Sequence, residues 1–251
     1  MKPLDISPDS MVLAIDTATP IQSLAIVHRC NVLFEARIQS QSKEGPGLLS
    51  LLDAALKQCQ IKLEDIDRFV VSRGPGAFTG LRVSMAMLKS LALTLNKPLY
   101  AASSLEAIAK DNIPCRDILA SCIDARRGEI YAAFYRYHEN HLQVLTEEML
   151  FKPTDFIQYI QQHFPEQTIQ CVGSAFPHYS DKLSSLSAQL CCRPSSPNAS
   201  RLAQLILEKY PDSMPDIPLE ALEPKYIRMD DFALPAPFDF TQPGQYRNNH
   251  Q

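Results

Sequence analysis

The sequence predicts an α/β protein made of two similar halves, and three patterns carry that prediction. Each half opens with short apolar, partly β-branched runs separated by turn residues. Each then changes to helical spacing. Each returns to a strand and ends on another helix, so the order three strands, helix, strand, helix occurs twice, more weakly the second time.

Residues 11–15 (MVLAI) form a first strand that ends at Asp16-Thr17, and Thr19-Pro20 turn the chain into a second strand over 23–27. A further turn over 28–31 leads to a third strand over 32–38, completing a meander. After Gly45-Pro46-Gly47 the residues Leu48, Leu51, Leu52, Ala55, Leu56 and Cys59 recur at helical spacing, and Leu49 widens that stripe. Residues 68–72 give the next strand, 73–80 a glycine-rich loop, 81–95 a long helix and 97–101 a strand. Ser103 and Glu106 stand at capping-box spacing, which starts a helix at Ser104.

In the second half, strands over 118–123 and 130–137 flank Asp124-Ala125-Arg126-Arg127-Gly128, and a third covers 142–145. A helix opened by Pro153 runs to His163, and 168–172 is another strand. Asn198 is placed to cap a helix over 199–210, beyond which Pro211, Pro215, Pro218 and Pro224 stop any long helix. The expected division is 11–103 and 104–228, with helix 199–210 able to pack back on the first half and a loose tail over 229–251.

With 251 residues, 45% of them hydrophobic and 21% charged, the chain can bury a core without disulfide staples and is neither disordered nor fibrous. A formal net charge of -4 opposes binding of a long polyanion by charge alone. Any grip on nucleic acid would come largely from another subunit. No apolar run reaches the ~20 residues that span a bilayer, and residues 1–5 do not read as a leader, so a cytoplasmic protein with no membrane contact is expected. The 7 cysteines show neither a C-x-x-C pair nor a metal-ligand spacing and read as reduced structural thiols. His138 and His141 lie three apart in a predicted hairpin turn, where a metal would lack further ligands.

Three groups could carry chemistry. The loop Arg73-Gly74-Pro75-Gly76-Ala77-Phe78-Thr79-Gly80-Leu81-Arg82 joins a buried strand to a helix. Amides at such a helix start can hold a phosphate or carboxylate, which makes Gly74, Gly76, Gly80 and Arg82 candidates; alternatively the glycines only supply backbone geometry at positive φ. No Gly-Lys-Ser/Thr closes the loop, so it is not a Walker P-loop. Asp16 and Thr17 either contact a ligand or cap their own hairpin. Arg126 and Arg127, with Glu129, occupy a hairpin tip and are either solvated surface or guanidinium forks beside a phosphate of nucleotide or tRNA.

Four segments in order, Ile15-Asp16-Thr17-Ala18-Thr19, the glycine-rich loop to Arg82, Ile123-Asp124-Ala125-Arg126-Arg127-Gly128-Glu129-Ile130-Tyr131, and Pro224-Lys225-Tyr226-Ile227-Arg228, resemble the TsaB (YeaZ) family. The resemblance implies two actin-like (ASKHA, ribonuclease H-like) subdomains of mixed sheets flanked by helices, the second degenerate. It implies a non-catalytic subunit that pairs with TsaD and, with TsaE, supports transfer of threonylcarbamoyl to the adenosine beside the tRNA anticodon. ATP and metal are then expected on the partner subunits and not here; TsaD's paired histidines, four apart on a helix, have no counterpart. Relatives commonly carry Ser where this chain has Ala77 and His in the segment before the first helix, here Ser42-Lys43-Glu44-Gly45-Pro46-Gly47.

A helix on one sheet needs an apolar face of about a third of its circumference, and the stripe from Leu48 to Cys59 is wider. Leu48, Leu49, Leu52 and Leu56 are therefore expected at an interface, with TsaD or with a second copy of this chain. The rival classes are a small-molecule kinase of the actin-like superfamily, which would need an intact phosphate hairpin with its usual glycine, and a peptidase-like protein, for which no nucleophile and base can be paired.

Overall fold

In β1 (Met11–Asp16) the side chains of Leu13 and Ile15 join one cluster and those of Val12 and Ala14 another, and all four are fully buried. A strand covered on both faces must read as an unbroken apolar run, which is what this segment shows. The computed structural model describes residues 9–29, 31–39, 47–115, 118–139, 141–176, 178–179, 182–183, 190–211 and 213–228. The expectations placed on residues 42–46 and on the tail 229–251 lie outside them.

The first sheet has the order β3-β2-β1-β4-β5, with β2 (Ile21–His28), β3 (Asn31–Gln39), β4 (Arg68–Ser72) and β5 (Leu99–Ala102). The hairpin partners are antiparallel, and β4 and β5 run parallel to β1. The second sheet repeats this plan as β8-β7-β6-β10-β11, with β6 (Ile118–Arg126), β7 (Glu129–His138), β8 (His141–Val144), β10 (Ile169–Gly173) and β11 (Leu190–Pro194). A short β9 (Met149–Phe151) also pairs with β7. This is the actin-like α/β architecture of two mixed sheets flanked by helices.

α1 (Leu48–Cys59) and α2 (Phe78–Leu95) bury one row each on Leu13, Ile15, Leu24, Ile26, Phe69 and Val71. α5 (Ala199–Lys209) covers the other face of the same sheet. On the second sheet, α4 (Pro153–His163) packs on the cluster around Phe134 and Cys171, and α3 (Ser104–Asp111) on that around Leu119 and Tyr135. α3 and α5 touch each other and so form the layer between the sheets. Lys110 Nζ bonds Glu208 at 2.7 Å and Arg201 Nε bonds Asp111 at 2.8 Å across that layer. Fully buried Arg68 gives its guanidinium to the carbonyls of Tyr210 and Pro211, at 2.7 and 2.8 Å, where α5 ends with its partial negative charge.

Several boundaries differ from the sequence reading. α2 begins at Phe78, three residues before the expected start, because Gly80 reads as a loop residue although it stands in the first helical turn. β9 and β11 were not foreseen: one is three residues long, and the other, with adjacent Cys191 and Cys192, is a half-exposed edge strand with no clean alternation. Ser103 does cap α3, accepting the Glu106 amide at 3.3 Å. Asn198 occupies the cap position of α5, but its side chain accepts no amide of the first turn; the amides of Ala199 and Ser200 are taken by Ser23 Oγ at 3.0 Å and Glu35 Oε1 at 3.2 Å. Among the described residues no two cysteines are joined in a disulfide.

Candidate cleft between the two hairpin tips

The turn after β1 and the turn after β6 line one cavity of about 1030 Å³, together with the start of α2 and the end of α3. Its walls include Ala18, Thr19, Gly76, Ala77, Asp124, Arg126 and Arg127. Segments distant in sequence supply Arg37, Asp111, Asn112, Ser174, Ser196 and Arg228. The arginines are partly answered from within: Arg37 stands 3.8 Å from Asp111, Arg126 3.7 Å from Asp124, and Arg228 pairs with Glu129. Four arginines against Asp111 and Asp124 still leave the lining positive, and Ala77, the N-cap of α2, has no side-chain cap. Such a wall suits an anion.

The glycine-rich loop owes its glycines to contact with the first hairpin. A Cβ on Gly76 would stand 2.3 Å from the Ala18 carbonyl oxygen, and one on Gly80 2.2 Å from that of Thr17. Positive φ was the expected reason; among these three glycines it holds only for Gly74, at +100°. The Ala77 amide donates to the Ala18 carbonyl at 2.7 Å, so hairpin and loop are one packed unit.

Asp16 and Thr17 are spent inside that unit. Asp16 is fully buried; its Oδ1 accepts the Ala18 amide at 2.9 Å and its Oδ2 the Ser104 hydroxyl at 3.0 Å. Burial pushes its carboxyl up to about 6, against the hydrogen bonds from Ala18, Ser104 and Ser72. Thr17 Oγ1 shares a hydrogen bond with Ser84 Oγ of α2 at 2.7 Å. Arg82 points along the surface: its guanidinium lies 3.8 Å over the Phe78 ring, and its Nε donates to Tyr226 Oη at 2.9 Å.

Of the eight residues named from the sequence as phosphate contacts, Gly76, Arg126 and Arg127 line the cleft; Asp16, Thr17, Gly74, Gly80 and Arg82 do not. Arg37, Asn112 and Ser196 left no signal, since polar residues on separate elements share no spacing, and Arg228 stood in the 224–228 motif without being named as a contact. The 224–228 motif straps the halves together. Lys225 donates its amide to the Arg73 carbonyl at 2.7 Å and its Nζ stands 2.9 Å from Glu148, while Arg228 reaches Glu129.

On α1, Leu48 and Leu52 belong to the chain's own core, Leu56 is half-buried against it, and Leu49 is 67% exposed. α2 also exposes Val83 and Leu93 at 54% and 64%. Among the described residues α2 is the one helix long and apolar enough to cross a membrane, but Leu81, Met85, Leu88 and Ala92 are buried in the first core. His138 and His141 face each other across the β7–β8 turn, both exposed. Among the described residues no group of three or more His, Cys, Asp or Glu is placed to hold a metal.

Two halves of one strand order with a cleft at their hairpin tips define a protein of the actin-like α/β class. Residues 46–205 match the family model described as TsaD: tRNA N6-adenosine threonylcarbamoyltransferase. The chain is 26% identical over 151 residues to the tRNA threonylcarbamoyladenosine biosynthesis protein TsaB of Bacillus subtilis (strain 168) and 33% identical over 158 residues to that of Escherichia coli (strain K12). Each alignment covers 60% of this chain and 66% of the relative, a little under two thirds of its length. The solved structure of YeaZ from Pseudomonas aeruginosa superposes with a TM-score of 0.70 over 86% of this chain and 99% of that one; at 23% identity the likeness is one of fold. The chain belongs to the family of that model and, within it, to the TsaB (YeaZ) proteins.

Proposed function

We propose that this chain is a non-catalytic subunit of the assembly that makes threonylcarbamoyladenosine in tRNA. In this reading it pairs with TsaD, supports that partner's transfer of threonylcarbamoyl to the adenosine beside the anticodon, and meets TsaE in the same assembly. ATP and metal would be held by the partners, and the setting would be the cytoplasm. The observation that carries the reading is the outer helical face of the first half. Leu49 on α1 and Val83 and Leu93 on α2 face solvent, on helices whose buried rows already complete the core beneath them. Apolar side chains left over on two neighbouring helices suit packing against helices of another chain. The names of the TsaB relatives point the same way, and the burial of Asp16 away from the cleft counts against catalysis by this subunit.

The test is titration of purified TsaD with the wild-type chain and with Leu49→Asp, using circular dichroism as the folding control. A carboxylate desolvated without a partner should weaken pairing about 100-fold, on the order of 3 kcal/mol. The fold should survive, since Leu49 lies outside the core. A folded variant that pairs with undiminished affinity places the contact elsewhere. ATP turnover by the chain without TsaD or TsaE would overturn the non-catalytic reading.

A further inference from the structure

A second cavity, of about 280 Å³, lies where the end of β5, the start of α3, β7 and the last turn of α5 meet, and it shares no lining residue with the cleft. Part of its wall is apolar, from Ala101, Ala102, Leu205 and Ile206. Its charged lining balances, with Arg73, Lys209 and Lys225 against Glu106, Glu147 and Glu148. A net anion would meet three carboxylates there, and a net cation three positive groups.

Half of the six charged groups are already engaged. Ser103 Oγ donates to Glu148, whose other oxygen stands 2.9 Å from Lys225 Nζ, and Lys209 stands 3.6 Å from Asp216. Three are not, and of these Glu147 is exposed to solvent. Among the described residues neither the Arg73 guanidinium nor the Glu106 carboxylate makes a hydrogen bond or ion pair, although both are half-buried and feel each other's charge. Burial pushes the Glu106 carboxyl above the usual carboxylate range, opposed by the positive charges of Lys209, Lys110 and Arg73. The Arg73 backbone is held at both ends, its amide on the Ala102 carbonyl at 2.9 Å and its carbonyl by the Lys225 amide at 2.7 Å. A guanidinium and a carboxylate held beside one cavity without hydrogen-bonding partners form a pair of opposite anchors.

We propose that this cavity binds a small zwitterion of the α-amino acid type. Its carboxylate lies on Arg73, its ammonium on Glu106, and a short side chain rests against Ala101, Ala102, Leu205 and Ile206. The volume of about 280 Å³, near the lower end of ligand pockets at about 300 Å³, suits one molecule of amino-acid size. The proposal does not rest on pairing with TsaD.

The experiment is calorimetric and NMR titration of the full chain with glycine, L-alanine, L-serine and L-valine, alongside N-acetyl-L-alanine and L-alaninamide. L-alanine is expected to bind, with shifts at residues lining the cavity. Blocking either charged end should weaken binding by about tenfold or more. Arg73→Gln should erase the preference for L-alanine over its amide, and Glu106→Gln the preference over its N-acetyl form. Absence of binding by all four amino acids up to about 20 mM, well past a weak millimolar site, would overturn the proposal, as would equal binding of free and blocked forms. The comparison of free with blocked ligands needs only the wild-type chain, so a variant that fails to fold leaves the test intact.

Discussion

Asp16 ends β1 and Asp124 stands two residues before the end of β6, and each accepts through Oδ1 the amide two residues ahead, at 2.9 Å in both. Beyond that shared hydrogen bond the two tips part. The first is buried: Ala18 and Thr17 lie against the glycine loop, and Asp16 reaches on to Ser104. The second stands open, with Arg126 and Arg127 at φ of 62° and 54° and Gly128 at 81°, and no heavy atom within 4 Å of a Cβ built on Gly128. The difference teaches that an Asp turn is a local device that any strand end can carry, whereas its exposure is decided by what packs over it. The loop after β4 packs over the first turn, which still gives Ala18 and Thr19 to the cleft, whereas the second turn faces the cleft with cationic side chains.

The largest effect should come from crowding the buried tip. Gly76→Val and Gly80→Val each push a side chain into a carbonyl oxygen, and are expected to cost 3 kcal/mol or more, roughly the upper range for overpacking, seen as loss of the cooperative thermal transition. Retention of the wild-type melting temperature would show that hairpin and loop are not one rigid unit.

Titration of Asp16 sharpens the comparison. Its folded value of about 6 lies above the ordinary 3.8, so the folded state holds the proton more tightly. The stabilisation is present below about 3.8 and is lost as pH rises through about 6, on the order of 3 kcal/mol in all. Asp16→Asn has no such proton, so the stability of the wild type relative to this variant should fall between about pH 4 and pH 7 and then level off. Chemical denaturation of both proteins across that range measures it, and parallel curves would mean that the Asp16 carboxylate is not desolvated.

The open tip should respond weakly. Gly128→Ala has space but the wrong φ, and should cost about 1 kcal/mol through strain alone. Arg126→Ala, at a side chain 68% exposed, should change stability by about 0.5 kcal/mol or less. Either cost rising to that of the buried glycines would erase the distinction between the tips. Melting temperatures compared with Gly76→Val decide this.

Local pattern alone determined much of the fold. The periodicity of 48–59 and 153–163, the β-branched run at 68–72 and the Ser103 cap need only near neighbours, and α1, α4, β4 and the start of α3 fall where those signals put them. The site was legible only in part, through Gly76, Arg126 and Arg127. What the sequence left open depends on contacts between distant segments. Gly76 and Gly80 are glycines because the backbone at 17 and 18 approaches them from another strand, a cause that no spacing within 73–82 records. Leu48, Leu49, Leu52 and Leu56 share one stripe, yet the sheet covers Leu48 and Leu52 and leaves Leu49 in solvent, because the angle at which α1 lies on β2 and β3 selects the buried row. The cleft itself exists only once both sheets and the layer of α3 and α5 between them are assembled, since its arginines come from β3, the β6–β7 turn and the strap near 228.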